Sequence, residues 1–290
     1  MESESPSAAP SLSPPASPAE AKVAAPTGTF ALGVRSLTFN RGSRALPTTV
    51  WYPATGETGR SPRANAPFAA GRFPVLLLSH GLNGMPSHQQ QVHTRLAAAG
   101  FVVIAPAYPF TKSGADPFNA GDMGNQPADA LHVLTGVLKL DGQAGDAFSG
   151  HLNAGKAGAY GYSAGGFTTA GMLTGNRDAT VKAAVVIAGG AMGRFSGPST
   201  PVLFVHGDQD NVVGYQSGRS AYTSVTWPKA FLTQVGADHG SYFNSGSKGF
   251  TPMVSTMLDF FRWTLYGDLA AKGRLPADAG SAVTSYESKL

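Results

Sequence analysis

Near-continuous apolar runs recur along this chain at residues 74–78, 101–104, 181–188 and 202–206, each too short for a helix and each bounded by turn-forming or polar residues. A strand that is apolar at nearly every position has both faces covered, which is the mark of a parallel sheet between two helical layers. Helical patterns fill the intervals. Residues 88–99 end at Gly100, and 129–140 carry Leu131, Leu134 and Leu138 at helical spacing. Runs 164–173, 215–225 and 252–266 follow, the last with Met253, Met257, Leu258, Phe261 and Leu265 along one side. With further strands at 157–162 and 230–235, strand and helix alternate, so the expected class is α/β: a mostly parallel central sheet with helices on both faces. Residues 34–39 and 48–52 have no helix between them and are expected as an antiparallel pair at one edge.

The two ends differ from this pattern. Residues 1–26 are almost wholly Ser, Pro, Ala and Glu, too poor in apolar groups to offset the entropy of ordering, and read as a disordered tether. Residues 27–268 read as one domain and 269–290 as a loose polar tail. A Ser/Pro stalk suits an exported protein, secreted or held at a surface, while the basic start and apolar core of a signal peptide are missing from these 26 residues. The 21 Lys and Arg are scattered and form no phosphate-binding stripe, so no nucleic acid partner is expected. No apolar run reaches membrane-spanning length, so no integral membrane segment is expected either. The chain has no cysteine, which excludes a disulfide framework, a Cys-ligated zinc site and a thiol nucleophile. H-E-x-x-H, Walker and helix-opening G-x-G-x-x-G patterns are absent, so neither a metal nor a cofactor is expected. A monomer is expected.

Gly161-Tyr162-Ser163-Ala164-Gly165 fits G-x-S-x-G and lies between an apolar strand and a helix of small residues. That context holds a serine oxygen at the tip of a sharp turn and points the helix amides at charge developing beside it. Serine needs a base, and the base belongs on a loop after a strand. Of seven histidines, His239 fits best, in Ala237-Asp238-His239-Gly240-Ser241 just after the strand at 230–235. His80 and His206 also end strands and precede glycine, so they compete on position. His88, His93 and His132 fall in helical runs, and His151 in an undistinguished loop. The base needs an acid to fix its tautomer. The loop after residues 202–206 offers Asp208 and Asp210; Asp210 is far enough along to turn towards a neighbouring loop, while Asp208 suits bracing of the turn itself. The order Ser163, Asp210, His239 is the one used by α/β-hydrolases.

Ser79-His80-Gly81-Leu82-Asn83-Gly84, the serine pentapeptide, His206-Gly207-Asp208-Gln209-Asp210 and Asp238-His239-Gly240 together resemble the α/β-hydrolase superfamily. Within it the chain is most similar to the dienelactone-hydrolase-like branch, with its bacterial platelet-activating-factor acetylhydrolases, chlorophyllase-like esterases and cutinase-like polyester hydrolases. Similarity runs from about Leu32 to about Asp268 and includes Thr49-Val50-Trp51-Tyr52-Pro53 and the stretch from Phe260 to Asp268. The resemblance implies an oxyanion hole made by the amides of Leu82 and Ala164, with His80 shaping the first of these loops. Two departures count against a polyester substrate in particular. Where polyester hydrolases of this branch carry an aromatic platform, this chain has Gly189-Gly190-Ala191-Met192, and it lacks the C-terminal disulfide many of them have.

The connection between residues 188 and 202 is too short for a helical lid, so an open cleft and no large lid domain are expected. Tyr108, Phe110, Tyr242 and Phe243 lie on loops near the same end and are candidate substrate contacts. The resulting expectation is a serine carboxylic ester hydrolase, taking an ester substrate through an acyl-enzyme. Three alternatives stand beside it: a polyester depolymerase, an acyltransferase on the same residues, and a non-catalytic binding protein on the same fold.

Overall fold

In the computed structural model, residues 23–175 and 179–290 are described. Ten strands form one sheet among these residues: β1 (Ala31–Arg41), β2 (Arg44–Ala54), β3 (Arg63–Ala64), β4 (Phe73–Ser79), β5 (Val102–Pro106), β6 (Leu152–Tyr162), β7 (Val181–Ile187), β8 (Val202–Gly207), β9 (Lys229–Gln234) and β10 (Thr284–Lys289). Their spatial order is β10-β9-β8-β7-β6-β4-β5-β2-β1-β3. The six strands from β9 to β5 are parallel, while β2 runs antiparallel to β5 and β10 antiparallel to β9. The long β1–β2 hairpin is the antiparallel pair expected near one edge. β4 and β5 are buried at every residue and β8 likewise, as their unbroken apolar composition requires.

Among the described residues, six helices cover the two faces: α1 (Gln90–Ala98), α2 (Gln126–Lys139), α3 (Ala164–Gly171), α4 (Tyr215–Ser224), α5 (Phe250–Phe261) and α6 (Leu269–Ala279). Side chains of α2, α3 and α4 join one apolar cluster, including Val133, Leu134, Val137, Ala170 and Tyr222. Those of α1, α5 and α6 join the other, including Val92, Leu96, Met253, Met257, Phe260 and Leu275. Each fully buried aliphatic or aromatic side chain contributes roughly 1.5–3 kcal/mol, so the two clusters hold the layers together. This is the α/β-hydrolase arrangement expected from the sequence. α2 begins at Gln126, before the expected start, and presents Ala130, Val133, Leu134 and Val137 to the core, with Leu131 and Leu138 half-buried on its flanks. α5 runs into a single wide π turn over Arg262–Tyr266.

The ends depart from expectation. Residues 1–22 of the tether lie outside the described residues. Of its remainder, Val23 and Ala25 pack on the α5 face, and the Pro26 carbonyl accepts a bond from Arg262 at 3.3 Å. Gly100, at φ +102°, leaves room for Pro26, whose Cγ would lie 2.8 Å from an added Cβ. Residues 269–290, expected as a loose tail, form α6 and β10 instead. Asp268 caps α6 by accepting from the Ala271 amide at 3.0 Å. β10 is polar because it is an edge strand with one row of side chains towards solvent, so its composition hides its pairing with β9. Glu287 on it receives bonds from Arg219 and the Tyr222 hydroxyl, both at 2.8 Å.

Candidate active site

The chain leaves β4 for β5 on one side, then returns past β4 to β6 on the other. The loops after β4 and β6 therefore diverge to opposite faces, and the crevice between them is where an open α/β sheet binds ligands. The motif glycines bring the two loops together. A Cβ on Gly165 would lie 1.8 Å from the Ser79 carbonyl oxygen, and one on Gly161 would lie 2.1 Å from that of Gly165. Only glycine lets the start of α3 press onto the end of β4. Between them Ser163 is held at φ 58°, ψ −121°, a conformation costing on the order of 1–3 kcal/mol. Its amide donates to the Ile187 carbonyl at 2.9 Å and its own carbonyl accepts from Phe167 at 3.1 Å, so the turn is fixed from both sides.

The loops after β8 and β9 bring the other two groups to this serine. His239 Nε2 lies 2.9 Å from Ser163 Oγ, and its Nδ1 lies 2.7 Å from Asp210 Oδ2. A carboxylate can only accept, so Nδ1 carries the proton and Nε2 faces the serine with a free lone pair. The Asp210 side chain has no exposure; its Oδ1 accepts from the amides of Val212 and Val213, both at 2.9 Å. Burial would raise its pKa, but the bonds from His239, Val212 and Val213 outweigh burial and hold the carboxyl below the usual carboxylate range. Asp208 braces the turn, accepting from the Gly236 amide at 2.7 Å. Asp238 Oδ1 accepts from Gly240 at 3.0 Å and Ser241 at 2.8 Å, which curls the histidine loop. The Gly207 position allows no side chain, since a Cβ there would lie 2.3 Å from the Ala237 carbonyl oxygen.

The competing histidines are committed elsewhere. His80 Nδ1 donates to the Gly81 carbonyl at 2.8 Å and Nε2 accepts from the Tyr108 amide at 3.1 Å, so neither nitrogen is available to a serine. Burial pushes its pKa down to about 4, which keeps the ring neutral. His206 Nε2 donates to the Val213 carbonyl at 2.8 Å and lies 3.2 Å from Asp210 Oδ2, behind the acid rather than beside the serine. His93 is buried against the Tyr160 hydroxyl, and His151 bonds to the Gly71 carbonyl. His88 and His132 are exposed.

Gly81 abuts the serine, with an added Cβ placed 3.3 Å from that of Ser163, so the loop carrying Leu82 borders the nucleophile. Among the described residues, neither the Leu82 nor the Ala164 amide donates to a protein acceptor. Both are therefore free for a ligand.

Two of the expected substrate contacts are corrected. Tyr108 has no exposure: its hydroxyl bonds to Ser79 Oγ at 2.7 Å and its ring packs in the core. Tyr242, at 1% exposure, packs in the opposite cluster. Phe110 is half-buried under the Arg44 guanidinium, 5.4 Å from the ring centre. Phe243 stands edge-on to Tyr162 at 4.8 Å, and Tyr162 lies 5.0 Å from the His239 ring, so this pair does border the site. Leu82 and Val212, on the loops after β4 and β8, are exposed apolar side chains, at 44% and 67%. In the Gly189–Met192 stretch, Gly190 is closely packed: an added Cβ would lie 2.2 Å from Ser217 Oγ and 2.8 Å from the Phe167 ring.

No group of His, Asp and Glu suited to a metal ion occurs among the described residues. Among the same residues, no helix is long and apolar enough to cross a membrane. A family model for PETases, described as PET hydrolase-like, matches residues 7–264. A search of curated proteins finds none that matches the chain.

Proposed function

The chain belongs to the PET hydrolase-like family, a family of ester hydrolases, and from that premise we propose that Ser163, His239 and Asp210 form its catalytic triad. Neutral His239 takes the Ser163 proton through Nε2 as Oγ attacks the ester carbonyl carbon. The oxyanion is received by the amides of Leu82 and Ala164, aided by the N-terminal end of α3. The leaving alcohol departs with the proton from His239, and water, activated by the same ring, releases the acid. Asp210 holds the imidazole in the reactive tautomer and stabilises its cation at each proton transfer. The observation that carries this reading is the pair of bonds at His239, 2.7 Å to Asp210 and 2.9 Å to Ser163, while its positional rivals His80 and His206 are engaged elsewhere.

The family match favours a polyester as the bulky substrate, despite the missing platform and disulfide. A helix-free connection over residues 188–201 supports access for a polymer chain. A polymer cannot enter a cell, so export of the enzyme goes with this reading. Hydrolysis of p-nitrophenyl esters of increasing acyl length and of an aromatic polyester film tests it. Soluble product from the film, lost in Ser163→Ala, supports the polyester reading; turnover of short esters alone restricts the enzyme to small substrates. An acyltransferase would pass the acyl group to an added alcohol faster than to water.

A further inference from the structure

We propose that Gln126 is a positioning residue that keeps the two oxyanion-binding amides at a fixed separation. The inference rests on the assignment of Ser163 as nucleophile and of Leu82 and Ala164 as amide donors. Those amides belong to different elements, one on the loop after β4 and one at the start of α3. Steric contact sets only how closely the two can approach: a Cβ on Gly165 would lie 1.8 Å from the Ser79 carbonyl oxygen, and one on Gly81 3.3 Å from Ser163 Cβ. Something must also stop them moving apart, because an oxyanion donor acts only within a few tenths of an ångström of its proper place.

The carboxamide of Gln126 supplies that restraint. Its Nε2 donates to Thr111 Oγ1 at 2.6 Å, and its Oε1 accepts from the Thr168 hydroxyl at 2.5 Å. Thr111 holds the Leu82 loop, its carbonyl accepting from the Asn83 amide at 2.7 Å. Thr168 lies one turn along α3, with Oγ1 2.9 Å from the Ala164 carbonyl. The path Asn83–Thr111–Gln126–Thr168 thus joins the residue after one donor to the first turn of the helix that carries the other. Gln126, Thr111 and Thr168 all have no exposure, so water cannot take over a broken link. Gln126 is also firmly seated: it opens α2, and the next residue, Pro127, packs on α3 where a Cβ on Gly171 would lie 2.6 Å from its ring.

Gln126→Met keeps the volume and removes both bonds. It is expected to lower kcat by about 10- to 100-fold with KM within about twofold, less than the loss from deleting a donor outright. Affinity for an arylboronic acid, which forms a tetrahedral adduct on the serine, should fall with kcat, while affinity for the product carboxylate should hold. Gln126→Glu, which can accept from both threonine hydroxyls, should recover part of the loss. If Gln126→Met does not fold, Thr168→Val, which cuts the link at α3, carries the same expectation. A lowered Tm with kcat and boronate affinity unchanged would overturn the proposal and leave Gln126 a packing residue. Phosphonate labelling of the wild-type enzyme separates the two levels: no label on Ser163 removes the underlying assignment, and the proposal with it, whereas a labelled Ser163 beside an unimpaired Gln126→Met defeats the proposal alone.

Discussion

Replacing one oxygen at Ser163 should abolish ester hydrolysis by several orders of magnitude while leaving Tm unchanged, since the turn is held by backbone bonds the side chain does not make. Asp210→Asn should reduce kcat by a factor approaching 10⁴, because an amide favours the wrong imidazole tautomer. Asp208→Asn is the paired control; its exposed bond to Gly236 braces a turn, so stability should fall slightly and kcat hold. At this scale the sequence was legible in part. Ser163, Asp210 and His239 could be picked out because each follows a strand and their order is restrictive. The sequence favours His239 over His80 and His206 by its loop alone, since all three end or follow a strand and precede glycine. What the sequence does not show is that the Tyr108 amide and the Val213 carbonyl occupy the two rivals, partners that only the folded loops supply. Tyr108 and Tyr242 were misplaced for a related reason: a loop aromatic looks the same whether it faces a cleft or fills the interior.

The serine turn is the element on which the site depends, and its tolerance is set by sterics. Gly165→Ala forces a Cβ to within 1.8 Å of a backbone oxygen that no rotamer can move. Overpacking of this kind should cost at least about 3 kcal/mol, read as a lower midpoint in urea with an unchanged slope. The strands of the sheet interior were readable because burial on both faces leaves an unbroken apolar run. α6 and β10 were not, because an edge strand and a surface helix carry mixed composition. Removing residues 284–290 should therefore do more than trim a tail: it uncovers the β9 edge and frees Arg219 and Tyr222 from Glu287, so Tm should fall and aggregation rise.

Across the whole molecule, charge at the α5–α6 junction ties stability to pH. Burial, together with the neighbouring Asp259, pushes the Asp278 carboxyl up to about 6. Folding therefore favours its protonated form, a contribution fully present below the unfolded pKa near 4 and lost as pH rises through about 6. Asp278→Asn should flatten that part of the Tm profile and raise Tm at pH 7. The rim of the cleft is equally fixed. The loop after β5, the longest near the site, is tied to the Leu82 loop by Ser113 donating to Gly84 and by the Asn83–Thr111 bond, and it ends in a 3-10 turn, Ala120–Asn125, leading into α2. With that loop tied down, a short-chain ester should be hydrolysed hyperbolically, without a jump in rate at its solubility limit. The proposed mechanism turns on one chemical event, acyl transfer to Ser163. Rapid acid quench of the enzyme turning over a soluble aromatic ester, followed by peptide mass mapping, detects it directly. The expected result is an acyl adduct on the Ser163 peptide alone, formed within the first turnover and absent in Ser163→Ala; an adduct on another residue, or Ser163→Ala turning over the ester at the wild-type rate, would contradict it.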